Sequence, residues 1–170
     1  MNFSNELDRY RLTKPGDKSH LIALLQSFHN IPIEFVQIIE EQTFSVNFPK
    51  GYHISSPEKG NRFIFFIVKG TTHGYLWSKG KKITTSFTGE GEFSGEVKNL
   101  WTVDLSYEYL ETIEAISAIA IPNGLFKNLF ETFSQTNYIV GKIAESYITK
   151  TVESGIIARL PTVKERYEKF

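Results

Sequence analysis

Cysteine is missing from all 170 residues, which excludes disulfides, thiolate nucleophiles, iron–sulfur ligation and cysteine-based zinc sites together, and suits a reducing compartment. Net charge is missing as well. The 19 Lys plus Arg balance 19 Asp plus Glu, so no global field steers the chain toward nucleic acid or an acidic membrane, and a polyanion partner would need a local patch. No apolar run reaches the roughly 18 residues of a membrane span. Glu6, Asp8, Arg9, Arg11, Lys14 and Asp17 interrupt the first residues, unlike a secretion or lipidation signal, and the cytoplasm is the expected location. No Gly-x-Ser-x-Gly elbow is present to present a nucleophilic serine. His20, His29, His53 and His73 are scattered without a His-x-His pair, so no metal ligand set and no catalytic residue is expected. Internal repeats, low-complexity tracts and charge blocks are also lacking.

What is abundant is apolar and aromatic. With 14 Phe, 8 Tyr and 41% hydrophobic residues, the chain can bury a core of ordinary size as one domain with appended helices. Leu21, Ile22, Leu24, Leu25 and Phe28 recur at helical spacing behind Ser19 as a cap. Pro32 suits the first turn of a second helix carrying Ile33, Phe35, Val36, Ile38 and Ile39. After Glu41 the period drops to two, with Phe44, Val46 and Phe48 alternating against Thr43, Ser45 and Asn47. Further β-type segments are expected at 52–54, 62–69, 71–78, 82–87 and 107–121, with glycines at the breaks. Ser78-Lys79-Gly80-Lys81 reads as a tight hairpin in which the glycine takes positive φ. Short strands spaced near ten residues apart predict an antiparallel roll or sandwich rather than a parallel sheet.

Helical spacing returns at 123–133 and again from about Gln135 to Leu160. In that longer stretch Val140, Ile143, Ala144, Tyr147, Ile148, Val152, Ile156 and Ile157 track one stripe. At 1.5 Å per residue the helix would be roughly 35–40 Å long, too long to hide its stripe behind one small roll, which points to a partner helix. Pro161 ends it, and Thr162 to Phe170 has the composition of another helix without an evident cap. The fold class expected is α+β, mainly β: an antiparallel double-stranded β-roll, jelly-roll-like, with N-terminal helices and a long C-terminal dimerisation helix. Its parts are residues 1–41, the N-terminal helices; 42–133, the roll with a short helix; 134–160, the long helix; and 161–170, a linker.

Several residues carry a family likeness. Phe48, Lys50 and Gly51 at a strand exit, Phe65 to Gly70, the hairpin glycine Gly80, the run Gly89 to Glu96 (Gly-Glu-Gly-Glu-Phe-Ser-Gly-Glu), and Ala120-Ile121-Pro122 before an amphipathic helix come in a set order. In that order and spacing, from about Ile33 to Phe170, the chain resembles the cyclic nucleotide-binding domain of Crp/Fnr-type transcription regulators. The resemblance implies a sensor, not an enzyme: a homodimer that binds an effector in the roll and DNA through a helix-turn-helix beyond the linker at Glu165, Arg166 and Tyr167. Only nine residues follow Pro161, too few for that motif, and the natural chain is expected to continue.

In the family a Gly-Glu pair holds the sugar hydroxyls of a cyclic nucleotide and a downstream Arg pairs with its phosphate, because a buried anion without a charged partner is costly. Gly95 and Glu96 match the pair, whereas the Arg position falls near Ser106. The expected pocket is Phe93, Ser94, Gly95, Glu96, Ser106 and Tyr107, and the expected dimer interface is Val140, Ile143, Ala144, Tyr147 and Ile148. Between Gly89 and Glu114, seven carboxylates face the single cation Lys98, which should repel a phosphate. Cyclic AMP binding of the usual strength is therefore not expected, and an uncharged or different effector, or loss of ligand control, is. No cofactor and no membrane partner are expected. Two alternatives stay open: a cupin-like metal-dependent enzyme, for which His53 and His73 are the residues to examine, and a ligand-free interaction module. A dinucleotide loop at Gly89, Gly91 and Gly95 is disfavoured by the adjacent carboxylates. Trp77 and Trp101 read as core or rim aromatics rather than stacking platforms.

Overall fold

A computed structural model describes residues 9–11, 17–57, 63–95 and 108–168. Among the described residues the first two helices are α1 (Ser19–Phe28) and α2 (Ile33–Gln42), each burying two apolar residues one turn apart: Leu21 with Leu25, and Phe35 with Ile39. Ser19 is the first helical residue rather than the cap; the Asp17 carboxylate accepts its N–H at 2.8 Å. Pro32 sits just before α2, with φ −69°. Lys18 joins the two helices by donating to the Thr43 carbonyl at 2.7 Å and to the Glu40 carbonyl, which satisfies acceptors left open at the end of α2. Burial pushes its ammonium pKa down, with the Glu40 charge opposing.

Eight strands follow among the described residues: β1 (Phe44–Phe48), β2 (His53–Ser55), β3 (Phe63–Lys69), β4 (Thr72–Ser78), β5 (Lys81–Thr88), β6 (Phe93–Ser94), β7 (Tyr109–Thr112) and β8 (Ile116–Pro122). They form two antiparallel sheets in the orders β1-β8-β3-β6 and β2-β7-β4-β5, the jelly-roll-like arrangement expected. The segment 107–121 divides into β7 and β8 because the chain crosses from one sheet to the other at Ile113 to Ala115. In the β4–β5 hairpin Ser78 pairs with Lys81, and both Lys79 (φ 49°) and Gly80 (φ 76°) are left-handed; positive φ at both central residues is the type I′ turn that matches strand twist. Gly70 has φ 91°, and a Cβ there would lie 2.9 Å from Ile116 Cγ2 and 3.0 Å from the Ala115 carbonyl.

Alternation along β3 splits the core in two. Phe65 and Ile67 face the roll interior with Val46, Phe48, Ile54, Leu110 and Ala118, while Ile64 and Phe66 face the helices with Leu21, Phe35, Ile121, Leu129 and Ile139. The first sheet is thus a middle layer buried on both faces, which accounts for the unbroken apolar run Phe63 to Val68. α3 (Asn123–Thr132) buries Leu125 and Leu129, and α4 (Gln135–Arg159) buries Thr136 and Ile139 near its start. Further along, α4 packs Ile143 and Tyr147 against the same cluster and lies beside β5 and the β5–β6 turn.

A last helix, α5 (Val163–Glu168), follows. It does have a cap: the Glu165 N–H donates to Thr162 Oγ1 at 3.2 Å, and the Glu165 carboxylate accepts from the Thr162 N–H at 3.1 Å. That reciprocal pair is a capping box, visible in sequence as Thr-x-x-Glu.

Candidate functional site

Among the described residues, space open to a ligand lies along α4. A cleft of about 890 Å³ opens between α4 and β5, the β5–β6 turn and the start of β7. Its α4 wall is set by helical spacing: Ile143, Tyr147, Lys150 and Ser154 follow each other at intervals of three or four residues and face the roll together. A smaller chamber of about 240 Å³ shares Phe93, Gly95, Ile143 and Tyr147 with the cleft and is otherwise lined by Ile64, Phe126, Val140, Ala144 and Ile148.

One ion pair clamps the cleft. Lys150 Nζ lies 2.6 Å from both Glu92 carboxylate oxygens and donates to the Phe87 carbonyl at 3.2 Å. Glu92 also accepts the Gly89 N–H at 2.8 Å. A single helical cation therefore holds the β5–β6 turn against α4. Beside it, burial pushes the Tyr147 phenol pKa well upward, with the Glu92 charge adding to the effect, so Tyr147 is a neutral hydroxyl throughout the physiological range. Glu108, at the opposite wall, accepts from Thr85 Oγ1.

The residues singled out from sequence distribute unequally. Phe93 and Gly95 line both the cleft and the chamber. Ser94 does not: it is buried in the roll interior, its hydroxyl 3.0 Å from that of Thr72 in the facing sheet, because alternation puts Phe93 and Ser94 on opposite faces of β6. Glu96, Lys98, Trp101, Ser106 and Tyr107 lie outside the described residues. The α4 stripe divides. Val140, Ile143 and Tyr147 are half-buried toward the roll, whereas Ala144 and Ile148 are exposed, continuing into Val152 and Ile156 on a second face.

Some of the carboxylates counted between Gly89 and Glu114 find partners outside that segment. Glu92 is paired with Lys150, Glu111 with Lys82 at 2.9 Å, and Glu90 accepts the Gly70 N–H at 3.0 Å. The cations come from α4 and β5, outside the counted segment. Lys150 was not foreseen, although its position three residues after Tyr147 placed it on the roll-facing side.

His53 and His73 sit on the outer face of the second sheet, away from the roll interior where a cupin holds its metal. Their Nε2 atoms lie 3.1 Å from the Tyr75 hydroxyl and 3.0 Å from Thr84 Oγ1. Among the described residues no three His, Asp or Glu side chains converge as metal ligands. Trp77, half exposed, is a rim residue of that same face, edge-on to Tyr75.

No family model matches the chain, and no curated protein is similar to it in sequence. Solved structures are similar in fold. A cyclic nucleotide-binding domain from Methylobacillus flagellatus superimposes with TM-score 0.69 at 9% identity, over 85% of each chain. A protein from Eubacterium rectale assigned to the Crp/Fnr family of transcriptional regulators gives TM-score 0.67 at 10% identity, over 79% of this chain and 63% of that one. DNR from Pseudomonas aeruginosa gives 0.65 at 15% identity, over 85% and 65%. This chain therefore has the cyclic nucleotide-binding β-roll fold found in Crp/Fnr-family regulators, and it spans under two thirds of those two proteins' length.

Proposed function

We propose that this chain is the effector-sensing and dimer-forming portion of a Crp/Fnr-like transcription regulator whose effector is not cyclic AMP bound in the family's usual way. One observation carries this: the same helix, α4, walls the cleft with Tyr147 and Lys150 and presents Ile148, Val152 and Ile156 to solvent. A ligand that alters the cleft therefore acts on the element that would join two subunits, which is the two-state coupling a sensor needs. DNA contact belongs to a helix-turn-helix following α5, and the chain itself carries out no chemistry. Among the described residues no helix is long and apolar enough to cross a membrane, and a cytoplasmic location fits a regulator.

Against cyclic AMP stands the charge of the cleft. Among the described residues its lining has one cation, Lys150, and that is already bonded to Glu92. A phosphate would have to displace Glu92 and leave it unpaired nearby. The test is thermal denaturation of the chain with millimolar cyclic AMP, alongside its molar mass in solution by light scattering. A dimer whose melting temperature is unmoved by the nucleotide supports the proposal. A low-micromolar dissociation constant for cyclic AMP, or a monomer at high micromolar concentration, refutes it.

A further inference from the structure

We infer that the 240 Å³ chamber is the recognition pocket for an uncharged, apolar-bodied small molecule of about ten heavy atoms bearing one hydroxyl or carbonyl, read by Tyr147. The inference rests on the cleft being the effector site and names the chemistry it selects.

Size comes first. An apolar cavity of about 150 Å³ stays dry and takes one benzene-sized guest. At about 240 Å³ the chamber holds a body roughly half as large again, two fused rings or a branched chain. Its walls are Ile64, Phe93, Phe126, Val140 and Ile143, with Ile148 and Ala144 at the outer rim. Water gains no partners from such a surface, so an apolar guest displaces little of value.

Charge comes next. Among the described residues the chamber has no ionisable side chain other than the Tyr147 phenol, and the adjoining cleft lining adds Glu92, Glu108 and Lys150. Lys150 is committed to both Glu92 oxygens and the Phe87 carbonyl. Among the described residues an anionic guest finds the cleft's cation already committed, and a cationic one finds Glu92 already neutralised. Neither sign is favoured over none.

Polarity comes last. Tyr147 lines both spaces; burial keeps its phenol protonated, so it both donates and accepts. Among the described residues its hydroxyl bonds to none. It stands one helical turn before Lys150, so a guest held by Tyr147 sits beside the clamp that joins α4 to the β5–β6 turn.

The experiment uses three probes of one size: 1-naphthol, naphthalene and 1-naphthoate, titrated into the whole chain by calorimetry or by chemical-shift changes. Expected are binding of 1-naphthol, naphthoate at least tenfold weaker, and a loss of fivefold or more for naphthol, but not naphthalene, in Tyr147→Phe. Ala144→Phe, an exposed rim position that should not compromise folding, should abolish binding of all three. Naphthoate as tight as naphthol, naphthol affinity unchanged in Tyr147→Phe, or no binding of any probe would overturn the inference. An α4-paired dimer that ignores every probe would sink this inference and spare the sensor proposal. Probe binding as expected in a monomer would do the reverse.

Discussion

Replacing Ile148 by Glu tests the exposed face of α4 as a seam between two subunits. Ile148, Val152 and Ile156 are 64%, 54% and 57% exposed. Complete burial of such a side chain contributes ~1.5–3 kcal/mol, so covering the part left open adds about 1–1.5 kcal/mol for each. In a twofold pair every residue counts twice, giving roughly 6–9 kcal/mol before the cost of lost translational and rotational freedom. Ile148→Glu removes its share in both subunits and brings two carboxylates to the seam. The loss is about 3 kcal/mol or more, a hundredfold or greater weakening of association. Sedimentation velocity over a wide concentration range reads this directly. Tyr147→Phe is the control, because Tyr147 is half-buried on the roll-facing side and should leave association unchanged. Equal association of wild type and Ile148→Glu, or a larger effect from Tyr147→Phe, would refute the division of α4 into two faces.

Three further outcomes are expected. Gly70→Ala should destabilise the fold by ~2–4 kcal/mol in denaturant titration, combining a strained positive φ with a clash at Ile116; a change within error would show that the β3–β4 turn relaxes freely. Lys18→Met should cost about 1–3 kcal/mol by leaving the Thr43 and Glu40 carbonyls without their donor, and a neutral result would mean water replaces the ammonium at no cost. The Lys82 hydrogen bond holds the Glu111 carboxyl below its ordinary value of 4.5. The unfolded chain therefore takes up the proton first on acidification. The pair's contribution is present above that ordinary value and is lost as pH falls through the lower folded one. Glu111→Gln should make the acid limb of the melting-temperature profile shallower; superimposable profiles would exclude the pair from acid stability.

Much of the architecture was readable in residue order because strands and helices have different periods. Phe44, Val46 and Phe48 alternate in two, and Val140, Ile143 and Tyr147 recur in threes and fours, so element type followed from local spacing. The glycine at Gly80 marked its hairpin because positive φ is a local demand. The capping box at Thr162 and Glu165 was equally local and was passed over. Boundaries shifted where tertiary contacts decided them. Residues 107–121 form two strands because their partners lie in different sheets.

Residue order alone specified antiparallel strands flanked by helices and a long C-terminal helix, since amphipathic period and turn chemistry are properties of neighbouring residues. The folded arrangement set the rest: Lys150 meets Glu92 across 58 positions, Ser94 turns inward while Phe93 lines the chamber, and the α4 stripe divides into a half-buried and an exposed face. Charge, burial and cavity shape depend on distance in space, and the folded chain brings together groups whose separation in sequence carries no sign of it.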